Sequence, residues 1–151
     1  MKIYTDGAVS HNGFEDAVGG WAFLALDDFN NELYRASAHV DPATNNICEL
    51  LAVLNGCQYG LEHYNGFEII TIYSDSAYII DCCNDNWYKK WQLNGWLTSK
   101  KQPVLNQDLW KALIPYFDNP IFSFKKVKGH STNEYNNIVD KMAVEAKQLN
   151  G

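Results

Sequence analysis

Two apolar runs in this 151-residue chain end in an aspartate. The first is IYTDGA, residues 3–8, carrying Asp6; the second is ITIYSDSAY, residues 70–78, carrying Asp75. Aspartate is a poor strand residue, and a carboxylate ending a buried strand costs free energy unless something pairs with it. If the two strands are parallel neighbours, both carboxylates emerge at one sheet end, the end where α/β proteins bind ligands. Glu49, in the first turn or so of a predicted helix, and Asp140, early in the last one, can face that edge. Carboxylates in close contact raise each other's pKa and need a cation to stay ionised. Magnesium suits such a site, because it prefers oxygen ligands, keeps several waters and is commonly completed by substrate phosphate. Two such ions a few ångströms apart can activate a water and stabilise the leaving oxygen of an in-line phosphoryl displacement. Each carboxylate also has an ordinary alternative. Asp6 before Gly7 fits a turn, Glu49 fits a solvated helix face, and Asp140 can complement a helix N-terminal dipole. The chemistry rests on their joint arrangement.

The elements that must position these residues follow from the hydrophobic pattern. Lys2 to Val9 reads as a strand, followed by the turn-rich loop SHNGFEDAVGG. Trp21 to Leu26 and Glu32 to Val40 read as the next strands of an antiparallel meander. Thr44 or Asn45 can cap a helix whose apolar stripe (Ile47, Leu50, Leu51, Leu54, Leu61) recurs at helical spacing and ends near Gly60. Phe67 to Tyr73 is a near-continuous apolar run, the pattern of a strand buried on both faces. SDSAYIIDCC then opens a helix, Trp87 to Trp96 is aromatic, basic and helical up to Gly95, and Val104 to Phe117 reads as a helix opening with Pro103. Ile121 to Val127 is a fifth strand, and a last helix runs from about Asn136 to Leu149. This order implies an α/β protein with a mixed five-stranded sheet covered by helices on both faces. The length fits a single domain over residues 1–151, and no repeat or linker divides it.

Composition narrows the setting. MKIYTDGAV reaches an acidic residue too soon for a signal sequence, and no apolar run approaches a membrane span, so the cytoplasm is the expected compartment. Cys48, Cys57, Cys82 and Cys83 form no CxxC pair and lie in helix-like or core-like contexts, which favours buried free thiols over zinc or disulfides. The net charge of −6 by itself opposes nucleic-acid binding, but its distribution does not. Two basic and thirteen acidic residues precede Lys89; from Lys89 onward there are ten basic and five acidic, giving −11 and +5. That asymmetry fits an acidic site in one part and a polyanion-facing surface in another, and equally fits solvated surface charge.

Five motifs, in order, carry a family resemblance: YTDGA, TNNICELLA, YSDSAY, the Trp-rich stretch with KKQPVLNQDLW, and VKGHSTNEYNNIVDKMA. Over nearly its whole length the chain resembles the type 1 ribonuclease H family. The resemblance implies the ribonuclease H fold and endonucleolytic cleavage of the RNA strand of RNA–DNA hybrids with two magnesium or manganese ions. It places the metal-binding set on Asp6, Glu49, Asp75 and Asp140. His130, in VKGHS, matches the histidine of the family's mobile loop, which assists proton transfer or product release; without the resemblance it reads as a loop histidine with no role. Asn12, Thr44 and Asn45 are implied to hold the hybrid, with Asn45 and Glu49 near 2′-OH groups and Asn12 and Thr44 near a DNA phosphate. The 2′-OH is what distinguishes RNA from DNA. Turn formation and helix capping are the structural alternatives for Asn12 and Thr44.

Two departures bear on affinity. The family commonly carries glutamine where SDSAY has Ala77, so one recognition hydrogen bond is expected to be missing or supplied elsewhere. In WYKKWQLNGWLTSKK, aromatics interleaved with lysines can grip a nucleic-acid backbone. Trp87, Trp91 and Trp96 are expected to be mainly packing residues, with Lys89, Lys90, Lys100 and Lys101 facing phosphate. Gln92, Leu93 and Asn94 are neutral where the family often has a basic cluster, so modest affinity is expected. Lys125, Lys126 and Lys128 add to that surface or are simply solvated. The expected partner is an RNA–DNA hybrid, with no membrane, no obligatory protein partner and a monomeric state. The competing expectation is a nuclease of this fold acting on DNA or double-stranded RNA, or a non-catalytic binding module. The intact carboxylate set opposes the binding module, and the asparagines near Glu49 oppose the altered specificity.

Overall fold

Alternation along β1 (Lys2–Ser10) and β2 (Val18–Leu26) decides what each sheet face packs against. Ile3, Phe23 and Ala25 turn to one face, where they join Leu50, Val53 and Cys57 of α1 (Asn45–Glu62). Tyr4, Leu24 and Leu26 turn to the other, against Val139 of α5 (Glu134–Gln148). The structure is a computed structural model that describes residues 1–128 and 133–149. β3 (Glu32–Val40), β4 (Ile70–Ser74) and β5 (Phe122–Lys126) complete a five-stranded sheet in the order β3-β2-β1-β4-β5. The meander is antiparallel, whereas β1, β4 and β5 run parallel, so the expected mixed sheet with helices on both faces is present. α2 (Ala77–Asn84), α3 (Trp87–Asn94) and α4 (Gln107–Phe117) fill the span between β4 and β5.

Several boundaries differ from the sequence reading, each for a local reason. β1 runs one residue beyond the expected Val9, to Ser10, because β2 pairs with it along its whole length, Asp6 opposite Ala22. β2 begins at Val18, so Gly19 and Gly20 belong to the strand. A Cβ at Gly20 would stand 2.6 Å from the Ala143 carbonyl oxygen and from the Lys147 nitrogen, so α5 can lie this close only over glycine. β4 begins at Ile70, and Phe67 is 90% exposed. There the Asn65 side chain accepts from the Phe67 and Glu68 N–H groups at 2.9 and 3.1 Å, a turn that holds both residues out of the strand. α4 starts at Gln107; Val104 packs into the core from an extended segment beside the Leu97–Pro103 bridge. α5 starts at Glu134, where Asn133 caps the Tyr135 and Asn136 N–H groups at 3.0 Å. The four cysteines are free, with Cys83 half-buried and the other three buried. Among the described residues, no helix is long and apolar enough to cross a membrane.

Candidate active site

The parallel ladder between β1 and β4 stops at Tyr4 and Tyr73. The Thr5 hydroxyl donates to the Tyr73 carbonyl at 2.8 Å and closes it. Just beyond that point Asp6, within β1, and Asp75, one residue past β4, meet at the same end of the sheet. Asp6 shares the sheet face of Tyr4, the face that α5 covers, and this brings Asp140 of α5 to it. Gly7 points the other way, toward α1. A Cβ there would stand 2.7 Å from the Glu49 nitrogen, so the first turn of α1 lies against bare backbone and delivers Glu49 beside Asp6. Carboxylate oxygens of Asp6, Glu49 and Asp75 fall within 4.8 Å of one another. Asp6 is 3% exposed and Glu49 5%. A cavity of about 340 Å³ opens on them and is lined also by Asn45, Asn136 and Asp140.

Burial dominates the electrostatics. It pushes the Asp6 carboxyl up to about 8, with the charge of Asp75 adding to the rise. Hydrogen bonding with Glu49 pulls it down, with Asp140 up, and the Gly7 N–H, donating at 2.9 Å, pulls it down. Burial likewise holds Glu49 well above the usual carboxylate range, followed by the charges of Asp6 and Asp75. Glu49 Oε2 and Asn136 Oδ1 are buried with no hydrogen-bond partner among the described residues. Clustered carboxylates with two buried oxygens left unpartnered, at the floor of an open cavity, fit a hard divalent cation, which supplies the missing positive charge. Asp6, Glu49 and Asp75 are the residues placed to hold it directly, with Asp140, hydrogen-bonded to Asp6, lining the same cavity.

The RNase H family profile matches residues 1–148. The chain belongs to the RNase H family. Ribonuclease H of Thermoanaerobacter sp. (strain X514) is 41% identical over 150 residues, 99% of this chain and 91% of that protein. Among solved structures, the PFV RNase H domain superposes with a TM-score of 0.78 at 22% identity, over 97% of this chain and 93% of that one. A foamy viral protease-reverse transcriptase in complex with RNA/DNA hybrid superposes with a TM-score of 0.83 at 18% identity, over 97% of this chain and 20% of that one. The mixed sheet and its helices are therefore the RNase H fold. As a member of the RNase H family the chain is a nuclease, an enzyme that hydrolyses phosphodiester bonds.

The other residues singled out in the sequence of this RNase H family member are placed as follows. Asn45 opens α1 and lines the acidic cavity; its N–H donates to Asn12 Oδ1 at 3.2 Å. Thr44 caps α1, its hydroxyl accepting from the Ile47 N–H at 3.1 Å, so the capping alternative holds for it. Lys89 and Lys90 are exposed on α3, and Lys100 and Lys101 on the loop that the Leu97–Pro103 bridge closes. None of the four lines the acidic cavity. Trp91 is buried against Trp110 with ring centroids 5.3 Å apart, while Trp96 lies under Lys111 Nζ at 5.0 Å, so packing accounts for both. Ala77 is exposed at the first position of α2. His130 lies outside the described residues. In the sequence Asn136 marks only the start of a helix. Its spacing of four from Asp140 on a helical segment was the signal that both share a face.

Proposed function

We propose that this RNase H family nuclease cleaves the RNA strand of RNA–DNA hybrids endonucleolytically, with two divalent cations held by Asp6, Glu49, Asp75 and Asp140. The observation that carries the reading is the carboxylate cluster: three acidic groups within 4.8 Å of one another, two of them buried. Like charge buried at such density calls for a compensating cation. Magnesium is the proposed ion and manganese its substitute, since both accept all-oxygen sites. When bound, the ions supply an activated water and charge stabilisation of the leaving oxygen in an in-line displacement.

The chain's own residues divide the remaining work. Asp6 and Asp75 fix the carboxylate spacing from adjacent strands, and Glu49 and Asp140 close the site from helices on opposite sheet faces. Asn45, beside Glu49, reads the 2′-OH, while Asn12 and Thr44 hold a DNA phosphate. Lys89, Lys90, Lys100 and Lys101 contact phosphates and bring the salt dependence that such contacts carry. His130 moves a proton at the leaving oxygen or speeds product release. In this reading the chain acts as one domain over residues 1–151, as a monomer, with the hybrid as its only required partner.

Labelled hybrid, DNA duplex and RNA duplex, each in magnesium, manganese or chelator, test the reading. Cleavage confined to the RNA strand of the hybrid and abolished by chelator is the expected result. Equal cleavage of the DNA duplex, or cleavage that survives chelator, overturns it.

A further inference from the structure

Asn136 is 2% exposed, lines the acidic cavity, and has an amide oxygen without a hydrogen-bond partner among the described residues. Its backbone N–H is already committed to the cap of α5, donating to Asn133 Oδ1 at 3.0 Å. It precedes Asp140 by four residues, one helical turn, so both side chains project on the cavity side of α5. Buried polar atoms are nearly always satisfied, and an amide oxygen can be satisfied only by a donor or a cation. Asp6 and Glu49 share a hydrogen bond with each other, and once a cation displaces their protons the carboxylates around Asn136 offer acceptors only. Asn137 also lines the cavity, but it is exposed and reaches solvent.

Asn45 and Ser76 line the cavity with side chains that can donate, but no donor among the described residues reaches Asn136 Oδ1, so its donor must arrive with the ligand. Magnesium keeps several of its waters when carboxylates bind it, and those waters present their hydrogens outward. We propose that Asn136 is a positioning residue whose Oδ1 accepts a hydrogen bond from a water in the hydration shell of the bound cation. The inference rests on the cation reading above and deepens it, since the carboxylates hold the ion and the amide oxygen orients its water. Groups in this outer position set metal affinity by about 10- to 100-fold in other sites.

Calorimetric titration with Mg²⁺ alone, beside thermal unfolding of the metal-free protein, tests it in the full chain. Asn136→Leu keeps the branched shape in a bulkier side chain and removes the acceptor, Asn136→Ala removes it with a smaller side chain, and Asn136→Asp retains an acceptor at the same place. The expected result is Mg²⁺ binding weakened about 10-fold or more by the Leu and Ala variants and not weakened by the Asp variant. The metal-free melting temperature of Asn136→Leu should hold or rise, because an unsatisfied buried acceptor has been removed. Hexaamminecobalt(III), whose N–H groups stand in for the hydrogens of bound water, should show the same loss. Unchanged Mg²⁺ affinity in the Leu and Ala variants overturns the inference, as does failure of the Asp variant to bind. Should Asn136→Leu not fold, Asn136→Ala decides alone. A wild-type protein that takes up no Mg²⁺ overturns the cation reading together with this one, whereas a wild type that binds it beside unaffected variants overturns this one only.

Discussion

Gly7 and the backbone of Glu49 are in such close contact that a methyl group on Gly7 would stand 2.7 Å from the Glu49 nitrogen. The glycine of IYTDGA is thus a strand residue over which α1 passes, not a turn residue. Gly7→Ala must push α1 away from β1, at a cost of about 1–3 kcal/mol in stability. It also moves Glu49 relative to Asp6, and a displacement near 1 Å at a reacting centre can lower turnover by about 10²-fold. Denaturant unfolding and single-turnover hybrid cleavage, both at a temperature where the variant is folded, should show the loss of rate exceeding the loss of folded protein. A wild-type rate in the folded variant would remove Gly7 from the positioning of the site.

The elevated Asp6 carboxyl predicts an unusual pH profile for the metal-free protein. With its folded pKa raised to about 8 from an ordinary 3.8, the folded state binds more protons than the unfolded state between those values. Stability is then greatest at low pH within this window and falls as pH rises toward 8. Glu49, raised in the same direction, adds to the trend. Magnesium should reverse it, with the largest thermal shift at the upper end of the window, where the carboxylates ionise and ligand linkage is strongest. Asp6→Asn keeps an acceptor for the Gly7 N–H but sheds the charge. It should melt higher than wild type near pH 8 without metal, and lose hybrid cleavage. A metal-free melting temperature that climbs from pH 5 to 8 would contradict the assignment.

The architecture and the meeting of the four carboxylates were legible in the sequence, because strand order and helical periodicity constrain which element ends share a sheet edge. Asp6 was placed correctly at that edge for an incomplete reason. Its strand does not end there; only the ladder to β4 does, and pairing with β2 carries the backbone on to Ser10. The apolar pattern from Lys2 to Val9 already carries the strand past Asp6 despite the poor strand propensity of aspartate, but it cannot show that the ladder to β4 stops at Tyr4. Gly19 and Gly20 read as loop residues because what requires glycine there is distant in sequence, Cys48 of α1 over Gly19 and α5, more than a hundred residues away, over Gly20. Phe67 misled in the opposite sense, its apolar neighbours suggesting burial while an asparagine turn holds it in solvent. Asn136 carries no signal of its burial, because an asparagine entering a helix is ordinarily a cap, and that burial appears only once the sheet and α5 are assembled.

The neutral stretch of α3 is open to a gain of affinity. Asn94 is unsuited to carry a new charge, since its side chain donates to the Leu97 carbonyl and accepts from the Leu97 N–H, both at 3.0 Å. Gln92 is exposed, and Leu93 is 90% exposed. Gln92→Lys with Leu93→Lys should lower KM for the hybrid at moderate salt with little change in kcat. If both lysines reach phosphates, the dependence of log KM on log salt should steepen by about one for each. The reverse substitution, Lys89→Ala with Lys90→Ala, should flatten it by a similar amount. A salt slope that ignores all four changes would take α3 out of the binding surface.

Asn12 and Asn45 separate two functions that proximity to the acidic cavity would otherwise blur. Asn12 meets Asn45 only through the backbone, its Oδ1 accepting the Asn45 N–H at 3.2 Å, so Asn12→Ala removes a brace and leaves the Asn45 side chain in place. A hydrogen bond from Asn12 to a DNA phosphate, a charged acceptor, contributes about 1.5–3 kcal/mol, which predicts a rise in KM of roughly 10- to 150-fold, kcat nearly unchanged and the preference for RNA intact. Asn45→Ala deletes the side chain that lines the cavity beside Glu49. If that side chain reads the 2′-OH, its loss should lower hybrid cleavage while sparing the weak binding of DNA duplex, so discrimination between the two narrows. Competition binding of uncleaved hybrid and DNA duplex to Asp6→Asn, with and without the second substitution, measures that ratio apart from turnover. Equal losses for both duplexes would assign Asn45 to the phosphate backbone instead, because a contact common to RNA and DNA cannot carry the choice between them.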